Sequence, residues 1–211
     1  MTNDNAADDI RGRGGNDTVN LSALTGNLNV TLNGNNVVNV NGSGTPGNID
    51  TIRGIESIIG GAGNDTLTGD NNSNRLTGGA GNDTLTGGTG LDTLTGGLGA
   101  DTFAYNAINE SNIGVGARDV IADFISGIDK LNFSGIDANT SLLATGNQAF
   151  SFNNTAGAGF SGAGQLIYHY EGTGANAMTL VQGNVNANLT ADFEVALIGH
   201  VAFNAATDIT L

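Results

Sequence analysis

One apolar side chain returns at every ninth position between Gly60 and Ala104. The units read GGAGNDTLT, GDNNSNRLT, GGAGNDTLT, GGTGLDTLT and GGLGADTFA, with no gap between them. Leu67, Leu76, Leu85, Leu94 and Phe103 fill the eighth position; Asp65, Asn74, Asp83, Asp92 and Asp101 fill the sixth. Two further units stand near the N-terminus, Asn3–Arg11 (NDNAADDIR) and Gly12–Asn20 (GRGGNDTVN), with Ile10 and Val19 in the apolar slot.

In each unit the six polar, Gly-rich residues predict a turn, because backbone with φ > 0 is cheap only for Gly. Three residues such as Thr84-Leu85-Thr86 predict a short strand, with Leu inward and both Thr outward. Two units close one coil, so units 18 residues apart stack on the same side. Asp65, Asp83 and Asp101 then form one column, and Asn74 and Asp92 the opposite one. Strands stack about 4.8 Å apart, and carboxylates in adjacent turns repel each other unless something lies between them. A divalent cation meets that need. Ca²⁺ takes about six to eight oxygen ligands, including backbone carbonyls of the kind Gly leaves exposed.

Composition narrows the picture. The chain has 211 residues, 35 of them Gly, with no Cys and no Trp. Gly at this level argues against a helical protein, while 38% apolar residues suffice for a core and argue against disorder. Twenty acidic side chains against six basic ones leave a net charge of −14. That balance disfavours nucleic acid and anionic membrane surfaces and favours cations. No apolar run approaches the ~18 residues of a membrane span. Met1-Thr2-Asn3-Asp4 lacks the basic-then-apolar pattern of a cleaved leader. The absence of Cys removes disulfides and thiolate metal sites. Catalytic patterns fail as well. There is no HExxH, and Gly159-Phe160-Ser161-Gly162-Ala163 misses the nucleophile elbow at its last position. The GxGxxG spelled by Gly157, Gly159 and Gly162 is expected in a chain so rich in Gly, and His169 and His200 read as packed or exposed strand residues.

The units resemble the GGxGxDxUx repeat of RTX proteins, which form a calcium-filled parallel β-roll. The flanks resemble the C-terminal domain of serralysin-type exoproteases: Gly14–Val19, Gly54–Ile59 leading into the roll, Arg118–Phe124 with Gly127–Leu131, and Gln165–Leu211. Together these cover roughly residues 12–211. The resemblance implies an all-β fold, a calcium-filled parallel β-roll combined with a β-sandwich. Residues 1–59 would be N-terminal capping repeats and sandwich strands, 60–104 the roll, and 105–211 the C-terminal sandwich part with a secretion signal, as one continuous domain.

It also implies ligands. In such rolls one motif offers carbonyls from its second and fourth residues and the carboxylate of its sixth. The motif 18 residues later offers carbonyls from its first and third residues and its own carboxylate. One implied site is Gly61, Gly63, Asp65, Gly78, Ala80 and Asp83; a second is Gly79, Gly81, Asp83, Gly96, Leu98 and Asp101. The opposite side implies Asp70, Asn72, Asn74, Gly87, Thr89 and Asp92, weakened where Asn74 replaces a carboxylate. A further site would join Gly88, Gly90 and Asp92 to Glu110 and Asp119, with Glu110 where the family usually has Asp. Gly15, Asp17, Gly54 and Glu56 resemble a site ahead of the roll, with Gly54 where relatives often have Thr. About five Ca²⁺ would supply about +10 against the −14.

The remaining segments read as antiparallel β, with strands at Leu131–Phe133, Gln165–Tyr170 and Phe193–Leu197 and a helical turn near Ser141–Thr145. The expected function is a non-catalytic Ca²⁺-binding module of an extracellular bacterial protein, mediating type I secretion and calcium-triggered folding. By resemblance the ending Asp208-Ile209-Thr210-Leu211 matches an uncleaved C-terminal secretion signal. The alternative is a surface-layer or adhesin module for calcium-dependent attachment or self-assembly at the cell surface. Ice or mineral binding by the outward Thr pairs Thr66/Thr68 and Thr84/Thr86 fits less well, because the pairs are few.

Overall fold

The structure is a computed structural model that describes residues 9–32, 38–42, 50–139, 148–186, 188–204 and 206–211. The helical turn expected near 141–145 and most of the Asn3–Arg11 unit lie outside the described residues. The chain divides into two compact units, Met1–Thr102 and Phe103–Leu211. Among the described residues no helix is long and apolar enough to cross a membrane.

In the first unit the strands are β1 (Asp9–Arg11), β2 (Thr18–Asn20), β3 (Leu28–Thr31), β4 (Val38–Gly42), β5 (Asp50–Arg53), β6 (Ser57–Ile59), β7 (Thr66–Thr68), β8 (Arg75–Ala80), β9 (Thr84–Thr86) and β10 (Thr93–Leu98). Successive repeat units alternate between two sheets. One runs β2-β6-β8-β10 and is parallel throughout. The other runs β1-β5-β4-β3-β7-β9 and is parallel except where β4 reverses against β3 and β5. The pairing has the 18-residue offset the repeat predicts: Leu67 faces Leu85, and Leu76 faces Leu94. These four leucines are fully buried, as are Val30, Ile52 and Ile58. Each buried Leu stabilises the core by about 1.5–3 kcal/mol relative to exposure, and its Thr neighbours stay on the outer face.

Two features depart from the expectation of short strands in seven units. Strands β8 and β10 run on through Gly78–Ala80 and Gly96–Leu98, pairing Gly79 with Gly97 and Ala80 with Leu98. Thr51–Ile59 also occupies a coil position of its own, abutting Gly60, with Glu56 sixth and Ile58 eighth in the unit. Ile58 sits in register between Val19 and Leu76.

The second unit holds β12 (Asp119–Ile121), β13 (Lys130–Asn132), β14 (Ser151–Phe152), β15 (Gln165–Glu171), β16 (Met178–Asn184), β17 (Phe193–Ile198) and β18 (Ile209–Thr210), with a 3₁₀ turn at Gly174–Asn176. Strand β11 (Thr102–Ala104) runs across the boundary between the units. The meander β15-β16-β17 is antiparallel, as expected. The expectation that the whole region is antiparallel is corrected: β12 pairs β17, β13 pairs β18, and β14 pairs β15, all in parallel. Strand β16 was not anticipated. It is central, its buried positions are successive instead of alternate, and such strands carry no period-2 signal. Aromatic rings fill this core, with Phe133 and Phe150 against Phe193 at 5.4 and 5.8 Å and Phe203 against Tyr168 at 5.1 Å.

Candidate metal centre

The turns of the first unit stack their sixth-position side chains into columns, and all five in the Gly60–Ala104 repeat are buried. A solvated polar face is thereby excluded. One oxygen of each Asp forms a ladder from coil to coil: Asp83 Oδ1 accepts the Asp65 N–H at 2.7 Å, and Asp101 Oδ1 accepts the Asp83 N–H at 2.9 Å. At the start of this column Asp65 Oδ1 accepts the Leu28 N–H at 2.9 Å. In the opposite column Asp92 Oδ1 accepts the Asn74 N–H at 2.7 Å, and Glu56 Oε2 accepts the Asp17 N–H at 2.9 Å. That column therefore runs Asp17, Glu56, Asn74, Asp92, which joins the two blocks of repeats.

The second carboxylate oxygen faces the turn of its own unit. Asp65 Oδ2 accepts the Gly61 N–H at 2.8 Å, and Asp17 Oδ2 accepts the Arg13 N–H at 3.0 Å. Asp83 Oδ2 is buried with no hydrogen-bond partner among the described residues. Burial, together with the charges of Asp65 and Asp101, pushes the Asp83 carboxyl from 3.8 up to about 6, although the Asp65 N–H works the other way. A buried anion left short of donors is costly.

Backbone carbonyls converge on the same gaps. A Cβ at Gly78 would collide with Asp83 Oδ2 and lie 2.6 Å from the Gly96 carbonyl oxygen. A Cβ at Gly79 or Gly81 would strike the carbonyls of Gly61 or Gly63, and one at Gly60 would strike that of Gly78. Gly79 and Gly81 have φ of +120° and +123°, a region closed to other residues at such close approach. The carbonyls of Gly61, Gly63 and Gly78 thus face the seam that also holds Asp65 and Asp83. In the next seam the carbonyls of Gly79 and Gly81 face Gly97 and Gly99. The Gly61 carbonyl also accepts the Ala80 N–H at 2.9 Å and that of Leu98 accepts the Gly81 N–H at 2.8 Å, leaving each one lone pair.

On the other edge the carbonyls of Asp70 and Asn72 face Gly88 and Gly90, and that of Gly87 faces Gly69. Asn74 is distinct there. Its Oδ1 accepts the Asp70 N–H at 2.7 Å, while its Nδ2 points to the Glu56 carbonyl at 3.4 Å. Thr89 meets its stacked neighbour through its hydroxyl, which donates to Asn71 Oδ1 at 3.2 Å. Ahead of the roll, a Cβ at Gly12 would collide with the Gly54 carbonyl and lie 2.7 Å from Asp17 Oδ2, while Gly15 sits at φ +106° with open space around it. Gly88, Gly90 and Asp92 lie in the first unit, and Glu110 and Asp119 in the second. Burial raises the Glu110 carboxyl against the pull of the Asn106 and Ala107 backbone.

Among the described residues no three His, Asp or Glu side chains converge on one point. In the Asp65–Asp83–Asp101 column each seam offers two acidic side chains plus carbonyl oxygens, and between Asn74 and Asp92 an amide oxygen replaces one of the acids, so the set is hard and oxygen-only throughout. One feature escaped the sequence reading. Asn27, Asn64 and Asn82 form a neutral ladder beside the Asp65 column, accepting the backbone N–H of Asn64, Asn82 and Ala100 at 2.9, 2.8 and 2.9 Å. Asn64 and Asn82 both occupy the fifth position of GGAGNDTLT, which was the available signal.

These features define a repeat-built, two-sheet β-roll module whose turns carry stacked acidic oxygen sites. The family described as Peptidase M10 serralysin C terminal matches residues 9–211, and the chain belongs to it. It corresponds to the non-catalytic C-terminal domain of that family and not to the catalytic zinc-protease region. Among curated proteins it is 44% identical over 191 residues to metallopeptidase AprA of Pseudomonas marginalis, covering 90% of this chain and 36% of that protein. It is 42% identical over 194 residues to serralysin C of Dickeya chrysanthemi, covering 91% of this chain and 37% of the relative. The chain thus spans little more than a third of the length of these relatives. Among solved structures, the AlgE6R2 subunit of the Azotobacter vinelandii mannuronan C5-epimerase is 25% identical with a TM-score of 0.44, covering 92% of this chain and 91% of that one.

Proposed function

We propose that this chain is a calcium-binding, secreted module that folds when calcium fills the seams of its roll, and that it passes a type I exporter unfolded. The observation that carries the reading is Asp83 Oδ2, a buried carboxylate oxygen without a donor, set where carbonyls of two coils converge. Asp65, Asp83 and the carbonyls of Gly61, Gly63, Gly78 and Ala80 would hold one ion, and Asp83 and Asp101 with Gly79, Gly81, Gly96 and Leu98 the next. Asp70, Asn72, Asn74, Gly87, Thr89 and Asp92 would hold a weaker one, and Asp17 and Glu56 one ahead of the roll. The bound ion would supply positive charge between stacked carboxylates. The chain's own residues hold the coils in register through the Asp and Asn ladders.

Family membership supports export and an extracellular location. At −14 the chain repels itself when calcium is scarce, which suits passage through an exporter.

Ligands assembled only in the folded state make binding free energy into stability. With affinities of ~10⁻⁴–10⁻³ M, as in extracellular modules, a hundredfold excess of calcium adds about 2.7 kcal/mol per site. Circular dichroism after exhaustive chelation with EGTA is expected to show loss of much β structure and its return on adding calcium. An unchanged spectrum and melting point would overturn the proposal.

A further inference from the structure

Asp83 and Glu194 are buried acids in contrasting surroundings. Asp83 has an oxygen without a hydrogen-bond partner among the described residues, whereas both carboxylate oxygens of the buried Glu194 accept from protein donors. Arg118 Nη1 donates to Glu194 Oε1 at 2.5 Å, the Gly114 N–H to the same oxygen at 3.2 Å, and Gln182 Nε2 to Oε2 at 2.5 Å. Arg118 is itself buried and extends Nη2 to Glu171 at 3.0 Å. The backbone of Glu194 is tied to the same loop: its carbonyl accepts the Ser111 hydroxyl at 2.5 Å, and its N–H donates to the Ser111 carbonyl at 3.3 Å. Ser111 Oγ in turn accepts the Asp119 N–H at 2.8 Å. Within the loop, Arg118 N–H returns to the Gly114 carbonyl at 3.2 Å, and Gly114 and Gly116 supply φ of +96° and +84°.

We propose that Arg118, Glu194 and Ser111 form a clasp that needs no metal ion and that sets the loop bearing Glu110 and Asp119 before calcium arrives. The three act as positioning residues. The clasp itself does not rest on the calcium reading above; only its place in the order of assembly does. Its components are one cation, one fully buried carboxylate and one hydroxyl that both donates and accepts. A guanidinium that bridges two carboxylates and a hydroxyl at these distances form strong, directional bonds. All of them hold the segment to β17, the last strand of the antiparallel meander. The order of assembly follows: this loop is in place while the roll seams still wait for charge compensation.

Amide hydrogen exchange of the full chain in EGTA tests this. The Gly114 and Asp119 amides are expected to exchange at least ~10-fold more slowly than an unstructured peptide, while the Asp65 and Asp83 amides exchange freely. Ser111→Ala should release the Asp119 amide without releasing the β16 amides, and Ser111→Thr should restore its protection. Arg118→Met should release both Gly114 and Asp119; should that variant fail to fold, the Ser111 pair decides alone. Free exchange of Gly114 and Asp119 in wild-type chain under EGTA would overturn the proposal. So would a Ser111→Ala variant whose Asp119 amide stays protected. Protection of Asp65 and Asp83 in EGTA would instead count against the calcium reading and leave the clasp standing.

Discussion

Asp83 is the residue on which two seams depend. Its carboxylate accepts the Asp65 N–H while its backbone N–H donates to Asp101 Oδ1, so it stands between two coils and is proposed as a ligand in both seams. Asp65 is proposed as ligand in one ion site only. Asp83→Ala is therefore expected to weaken calcium binding more than Asp65→Ala, and both more than Asn74→Ala, where an amide already stands. The first loss should reach at least the ~10–100-fold that removing a supporting partner costs at metal sites. Calorimetric titration of the three variants checks the order, and Asn74→Asp should tighten its own edge by restoring a charge. Asp208 shows the opposite balance. Burial raises its carboxyl, but Ser126, Thr207 and the N–H groups of Asn204 and Gly127 outweigh that and hold it below 3.8. A depressed folded value contributes stability above the unfolded value near 3.8, and that stability disappears as pH falls through the folded value. Denaturant midpoints at pH 6 and pH 3 should thus fall further in wild type than in Asp208→Asn, both at saturating calcium.

Among the elements, the turn is where the repeat is least forgiving. Gly81 combines φ +123° with a would-be Cβ that strikes the Gly63 carbonyl. Gly81→Ala must shift backbone against backbone and is expected to cost about 2–3 kcal/mol, near the upper end for strained positions. Gly14 occupies a similar Gly-rich turn, yet no atom lies within 4 Å of its would-be Cβ and its φ is not positive. Gly14→Ala should stay within ~0.5 kcal/mol, as surface changes do. Thermal melts in calcium separate the two, and equal effects would mean that turn composition matters more than coil stacking. The short strands behave otherwise. Leu76 and Leu85 are fully buried whether the strand runs three residues or six, because the inward position is set by the spacing and not by strand length.

At the scale of the whole molecule the chain divides into two compact units. The chain belongs to the non-catalytic portion of its family and spans little more than a third of its relatives. Purified chain is expected to show no hydrolysis of casein, esters or glycans. Turnover abolished by a point change within these 211 residues would contradict that.

The nine-residue pattern by itself determined the inward leucines, the 18-residue offset and the Asp columns, since every coil imposes the same local constraint and repetition makes it visible. The registers Leu67 to Leu85 and Leu76 to Leu94 follow from it directly. Only the tertiary structure decided that Thr51–Ile59 completes the second column, because Glu56 and Ile58 hold the right positions with Gly54 alone of the three glycines that mark a unit. Only it paired β13 in parallel with β18, and only it brought Arg118 to Glu194, 76 residues away. Those contacts join residues whose spacing carries no period. They are chosen by which buried donors and acceptors the finished core leaves to be satisfied, and that choice has no trace along the chain.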